Sequence, residues 1–324
     1  MTSPPNGIAI LAALLIAQWP IAPIAGAQQV GDPDYQPEIE NPAYDRGQGP
    51  VVAIDEGHHN FHTRTGRYAP FARLLEADGY RVRSHRGEVS ERSLDGTDIL
   101  VIVNALHASN VNQWELPTPS AFSDKEIEAI AAFVAGGGSL FLIADHMPFP
   151  GAIETLAAKF GARFENGFNA AKTGDGLSLG QVRFKRDTGG IAAHPITDGH
   201  GGGGRIDQVT SFTGSAFRLD GDATSAKPLL VLAPGTHTLN PKRAWKFSEE
   251  TEKKDVSGWL QGAAIEHGEG RVVIFAEAAM FSAQRSGNRR MGMHAEGVGD
   301  NQQLARNILR WLGRGQLESA PEPP

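Results

Sequence analysis

Two periods of apolar and polar positions alternate along this chain, and their order predicts a fold. After Pro50 the apolar run VVAID reads as a buried strand, and YAPFARLLEADG then places apolar residues at helical spacing until Gly79 stops it. YRVRSH alternates as an exposed strand does. DILVIVNAL is apolar throughout, the pattern of a strand covered on both faces. In FSDKEIEAIAAFVAGGG, Ser123 stands at the N-cap with Glu126 three residues on, a capping box, and Gly136, Gly137 and Gly138 end the helix. SLFLIAD predicts the next buried strand, GAIETLAAKFGA a helix and ARFE a short strand. Strands alternating with single helices imply parallel pairing and right-handed crossovers, hence an α/β class with a doubly wound, mostly parallel sheet.

Residues 170–260 break that rhythm. Short alternating pieces such as QVRFK, IDQVTSF, SAFRL and PLLVLAP are separated by glycine-rich turns, which predicts a β-rich insertion. The core resumes at GRVVIFAEAAMF, a buried strand, and closes with DNQQLARNILRWL, a helix with Leu304, Ile308, Leu309 and Leu312 on one face. The expected single α/β domain therefore spans 51–313, after an extended, turn-rich lead-in at 28–50 and before a frayed tail at 314–324. Residues 8–27 are uncharged and end in Ala25, Gly26 and Ala27, small residues where a signal peptidase reads, so 1–27 is read as a secretory signal cleaved after Ala27. A periplasmic or secreted protein with no further membrane span is expected, although MTSPPNG carries no Lys or Arg and an uncleaved anchor is the alternative.

Composition narrows the chemistry. With 37 acidic against 30 basic side chains the net charge is −7, which argues against a nucleic-acid partner. The absence of cysteine excludes disulfides, thiolate metal ligands and a cysteine nucleophile. The one G-x-S-x-G spacing, Gly176 to Gly180, lies among short alternating pieces rather than at a strand-to-helix elbow, which disfavours a serine triad, and no phosphate-binding glycine motif indicates a nucleotide cofactor.

In an open parallel sheet the ligand crevice lies beyond the carboxyl ends of the strands. The predicted strand exits are all polar and ionisable: Asp55-Glu56-Gly57-His58-His59-Asn60-Phe61-His62, then Asn104 to His107, then Asp145-His146, then Glu277. Charges buried at one rim are costly unless paired or metal-bound, so this rim is the main functional signal. Asp55, His58, His59 and His146 are candidate ligands of a divalent metal such as zinc, manganese or iron. Glu56, Asp145, His146 and Glu277 are candidate acid–base residues, and Asn60, His62, His107 and His294 candidate substrate contacts. The same loop could instead work without metal, or be a hydrogen-bonded structural loop. Arg285, Arg289 and Arg290 could hold an anionic substrate, with a solvated loop face the plainer reading.

FSDKEIEAIAAFVAGGGSLFLIAD, HPITDG, GEGRVVIFAEAAMF and DNQQLARNILRWL together resemble the class I glutamine amidotransferase-like superfamily, in particular its GldG-like and ThuA-like branches, over roughly residues 50 to 312. The resemblance implies a flavodoxin-like, glutamine amidotransferase-like sheet. It does not carry the amidotransferase activity, because Asp145-His146-Met147 stands where that activity needs a cysteine. VVAIDEGHHN, LLEADGYRV and DILVIVNALHAS are similar, in outline, to zinc-dependent N-acetylmuramoyl-L-alanine amidases, although Phe71, Ala72 and Arg73 occupy the neighbourhood of that family's ligand glutamate. The resulting expectation is an exported α/β protein with a histidine- and carboxylate-rich crevice for a small, carbohydrate-like or envelope-derived ligand. In one version Glu56 or Glu277 is the base in a metal-assisted hydrolase. In the other the crevice belongs to a non-catalytic binding module.

Overall fold

The computed structural model describes residues 29–173, 176–200, 202–220 and 225–313. The expected signal segment 1–27 and the tail 314–324 lie outside the described residues. The chain runs β1 (Val30–Gly31), β2 (Val51–Asp55), α1 (Ala69–Ala77), β3 (Arg81–His85), β4 (Ile99–Val103), α2 (Asp124–Ala135), β5 (Ser139–Ile143), α3 (Phe149–Lys159) and β6 (Ala162–Glu165). A strand-rich stretch follows: β7 (Phe168–Thr173), β8 (Gly176–Leu179), β9 (Gln181–Lys185), the short α4 (Pro195–Asp198), β10 (Gln208–Phe212), β11 (Ala216–Leu219), β12 (Ala226–Val231), β13 (His237–Asn240) and β14 (Glu252–Asp255). The chain returns through β15 (Leu260–His267), β16 (Gly270–Phe275), β17 (Ala283–Ser286), β18 (Arg289–Gly292) and α5 (Asn301–Leu312).

The main sheet has nine strands in the order β3-β2-β4-β5-β16-β15-β11-β6, with β12 also paired to β15. The five strands from β3 to β16 are mutually parallel. Beyond β16 every pairing is antiparallel. ARFE, which continues the strand–helix alternation in the sequence, is thus an antiparallel edge strand, because Gly161 at φ 77° turns the chain straight out of α3. The rest of the 170–260 stretch forms a four-stranded sheet, β14-β13-β7-β8, and a β9–β10 ribbon.

Side-chain alternation in the buried strands supplies two cores. Ile99, Val101 and Val103 of β4 join Phe71 and Leu74 of α1 and Leu304 and Ile308 of α5 in one apolar cluster. Leu100 and Ile102 join Ile127 and Ile130 of α2 and Ile153 and Leu156 of α3 in the other. Each such side chain contributes about 1.5–3 kcal/mol on burial, which is why continuous apolar runs form the strands with helices on both faces. The capping box sets where α2 begins: Ser123 N–H donates to Glu126 Oε2 at 2.9 Å, and the Glu126 amide donates back to Ser123 Oγ. This layering puts Asp55 at the carboxyl end of β2 and Asn104, Asp145 and Glu277 just beyond those of β4, β5 and β16.

Candidate functional site

The polar rim divides into two clusters with different chemistry. In the first, the loop after β2 folds back on itself. His58 Nδ1 lies 2.9 Å from Asp55 Oδ2, and Nε2 lies 2.8 Å from Glu126 Oε1 at the start of α2. Asn60 Nδ2 also donates to Asp55 at 2.9 Å, while Asn60 Oδ1 accepts the His58 amide. Burial, the largest single influence, raises the Asp55 carboxyl, but hydrogen bonds from His58 and Asn60, with His85 Nδ1 3.6 Å away, outweigh it and bring it down to about 2. Burial likewise pulls the His58 ring down, and the two carboxylates more than reverse that. The result is a buried carboxylate–imidazolium–carboxylate bridge fastening the loop to α2.

This arrangement places the candidate ligands and contacts apart from one another. Asp55 and His58 satisfy one another and do not converge with His59 and His146 as a donor set. His59 is exposed, at φ 47°, and His146 belongs to the second cluster. Among the described residues no group of three or more His, Asp or Glu side chains is placed to hold a metal ion. Asn60 spends its side chain within the loop. Glu56 accepts the Arg64 amide at 2.9 Å and pairs with Arg86 at 3.2 Å, so it is tied to the loop rather than poised as a base. His107 caps its own short turn, its Nδ1 accepting from Ser109 N–H. His294 Nε2 lies 2.9 Å from Asp32 Oδ2, holding the lead-in to the segment after β18.

The second cluster gathers His62, Asn104, Asp145, His146 and Glu277. The Asp145 amide can only donate, so the Asn104 oxygen that accepts it at 2.8 Å is Oδ1, and Nδ2 then donates to His62 Nδ1 at 3.0 Å. Neutral His62 therefore carries its proton on Nε2. Its burial, then repulsion from Arg67 and His146, holds it down to about 3. By the same logic His146 Nδ1 donates to the Met147 carbonyl at 2.8 Å, leaving Nε2 as an acceptor when the ring is neutral. Burial, and then the Asp145 charge, push Glu277 well above the usual carboxylate range, against hydrogen bonds from the Met280, Ala279 and Phe212 amides. Burial also raises Asp145, against the His146 charge and the His146 and Ala278 amides. Both shifts favour the protonated form of the carboxyl.

A cleft opens onto Asp145. Its inner chamber, about 60 Å³, is lined by His62, Arg67, Asn104, Asp145 and His146. Its outer chamber, about 250 Å³, shares Asp145 and His146 and adds Thr213, Trp245 and Arg289. His146 stacks on Phe168 with centroids 4.5 Å apart and meets the edge of Trp245 at 4.7 Å. Trp245 is itself 50% exposed. Among the described residues four non-glycine residues have positive φ, and three of them line this cleft: Asn104 at 49°, Thr213 at 74° and Trp245 at 64°. A β-branched residue with positive φ is a true outlier, and such strain concentrates at functional sites. Gly214 continues the turn at φ 69°, and a Cβ there would lie 2.4 Å from the Ala276 carbonyl oxygen and 2.9 Å from Glu277 Cβ. The strand exits pointed to Asp145, His146, Glu277 and His62. Trp245 and Thr213 carry no sequence signal, because only the fold brings the insertion over the rim, and Arg67, between β2 and α1, reads in sequence as an ordinary loop arginine.

No family model and no curated protein matches the chain. Among solved structures it is similar to the mmIFT52 N-terminal domain, at 12% identity and a TM-score of 0.55, over 85% of this chain and 100% of that one. A ThuA-like protein from Parabacteroides merdae matches at 11% identity and a TM-score of 0.46, over 83% and 91% of the two chains. A GMP synthase protein from Thermoplasma acidophilum matches at 9% and 0.44, over 84% and 97%. At these identities the likeness concerns the fold, α/β with a mostly parallel sheet, and leaves the chemistry of the cleft to its own residues.

Proposed function

We propose that the cleft at Asp145 is an acid–base site that hydrolyses a carbohydrate-like ligand without a metal. The observation that carries this reading is Asp145, a buried carboxyl shifted toward its protonated form at the floor of a cleft whose walls include strained and aromatic residues, with the likewise raised Glu277 buried nearby. The outer chamber has room for a sugar ring, and exposed Trp245 offers a face on which one can stack. The inner chamber has room for about two waters, which His146 Nε2, His62 Nε2–H and Asn104 would hold. In the step envisaged, Asp145 delivers its proton to the leaving glycosidic oxygen. His146 takes a proton from the attacking water, whose oxygen bonds to the sugar carbon. Glu277, which three backbone amides hold behind Asp145, acts as a positioning residue for the proton.

Turnover of a panel of nitrophenyl glycosides tests this directly. Asp145→Asn and His146→Gln should each lower the rate about 100-fold or more. Absence of turnover across the panel, with saccharide binding that depends on Trp245, would favour a binding module. The enclosure of Glu277 by backbone donors is the observation on that side. We also propose export through residues 1–27, which an N-terminus at Gln28 in the mature protein would establish. A distant amidotransferase-like, flavodoxin-like ancestry for the sheet belongs to the same proposal. Among the described residues no helix is long and apolar enough to cross a membrane.

A further inference from the structure

Three arginines stand around this cleft without a carboxylate partner among the described residues, in a chain whose net charge is −7. Arg67 is half-buried, its guanidinium 3.9 Å from the centroid of the Phe61 ring and its Nε donating to the Gln29 carbonyl at 2.8 Å. Its terminal nitrogens have no hydrogen-bond partner among the described residues, and the side chain lines the inner chamber beside Asp145. A half-desolvated cation without a counter-charge is costly to hold, so its position calls for an anion that arrives with the ligand. Arg289 and Arg290 are exposed on the β17–β18 hairpin. Neighbouring Arg285 is already taken by Asp34 at 3.0 Å.

The two exposed arginines line a second groove of about 670 Å³, together with Gln181, His294 and one carboxylate, Glu296. His294 is held by Asp32. Gln181 and Arg289 line both this groove and the outer chamber, so the two spaces adjoin. Together they offer room for more than a single sugar ring.

We propose that the ligand is an acidic saccharide, with one anionic group seated on Arg67 in the inner chamber and a further one on the Arg289–Arg290 rim. This rests on the reading of the cleft as a saccharide site and names its substrate class. A planar guanidinium matches the two oxygens of a carboxylate or of a phosphate, so a uronic acid and a sugar phosphate share the recognising chemistry. Burial shifts Asp145 toward its neutral form, in which it faces such an anion without the repulsion a carboxylate would exert.

Calorimetric titration of the purified protein with trigalacturonate, its fully methyl-esterified form and glucose 6-phosphate tests the proposal. Trigalacturonate should bind, its ester at least tenfold more weakly, and 0.5 M NaCl should weaken the acid but not the ester. Arg67→Gln should weaken trigalacturonate about tenfold or more, and the Arg289→Gln, Arg290→Gln double variant about threefold. Binding of glucose 6-phosphate in place of trigalacturonate, with the same dependence on Arg67, would retain the anionic ligand and assign it to phosphate. Equal binding of acid and ester, both lost in Trp245→Ala, would overturn the acidic ligand while leaving the saccharide cleft in place. Failure of all three probes to bind would overturn both. Thermal melting of each variant checks that folding is intact, which is expected because these arginines make few contacts inside the protein.

Discussion

Both ends of the rim combine carboxylates with histidine, yet they resolve the same electrostatic problem in opposite ways. At Asp55–His58–Glu126 one cation lies between two anions, and their charges and hydrogen bonds are used up inside the protein. At Asp145–Glu277 burial, and for Glu277 the Asp145 charge as well, outweigh the amides and the His146 charge, so both acids are shifted toward the protonated form. The first arrangement stabilises a loop. The second is costly in stability, and its cost falls where a cleft opens and backbone strain collects. A dense run of ligand-like residues in sequence is therefore weaker evidence of a site than a sparse set left incomplete by the fold.

The largest effect expected from this contrast is at His58. His58→Ala leaves two buried carboxylates facing each other and should cost about 3–5 kcal/mol, read from the urea midpoint. Equal stability of variant and parent would dissolve the bridge as described. In acid, Asp55 sets the next effect. Its carboxyl is lowered from 3.8 to about 2, so its contribution is complete above pH 4 and is lost as pH falls through 2. That amounts to about 2 kcal/mol, and Asp55→Asn should flatten the stability curve over that window.

At alkaline pH the second cluster shows an opposite sign. Its carboxyls bind protons more tightly folded than unfolded, so they subtract stability as pH rises above 4 through their raised values. Asp145→Asn removes the repulsion and should gain about 1 kcal/mol at pH 8 while abolishing turnover. A loss of stability there would place Asp145 with the structural residues. His58 also loses its stabilising charge as pH rises, since its raised value keeps it protonated only up to that point. The difference between the Glu126→Gln and Asp145→Asn curves therefore separates the two clusters. The smallest effect is at Thr213, where glycine adopts φ 74° freely and Thr213→Gly should stabilise the protein by about 1 kcal/mol while weakening ligand binding.

Much of the scaffold could be read from sequence because local signals agreed with the fold. The Ser123–Glu126 capping box, the apolar runs of β4 and β5 and the stripe on α5 each specify an element whatever lies around it. Asp145, His146, Glu277 and His62 were legible for a similar reason, as polar residues ending buried strands. The metal ligands did not assemble because His58 meets Glu126, 68 residues away, a pairing no spacing rule contains. Glu126 carries a local signal as a capping residue, and that role conceals its second one. Trp245 and Arg67 were silent because an exposed tryptophan and a loop arginine gain meaning only from what the insertion and the lead-in place beside them.

Infrared spectroscopy of the carboxyl groups tests the central distinction most directly. At pH 7 the parent protein should show the carbonyl band of a protonated carboxyl, lost in Asp145→Asn and in Glu277→Gln and unchanged in Glu126→Gln. Absence of that band at neutral pH, or its loss with Glu126 instead, would contradict the assignment of the available proton to the Asp145 cleft.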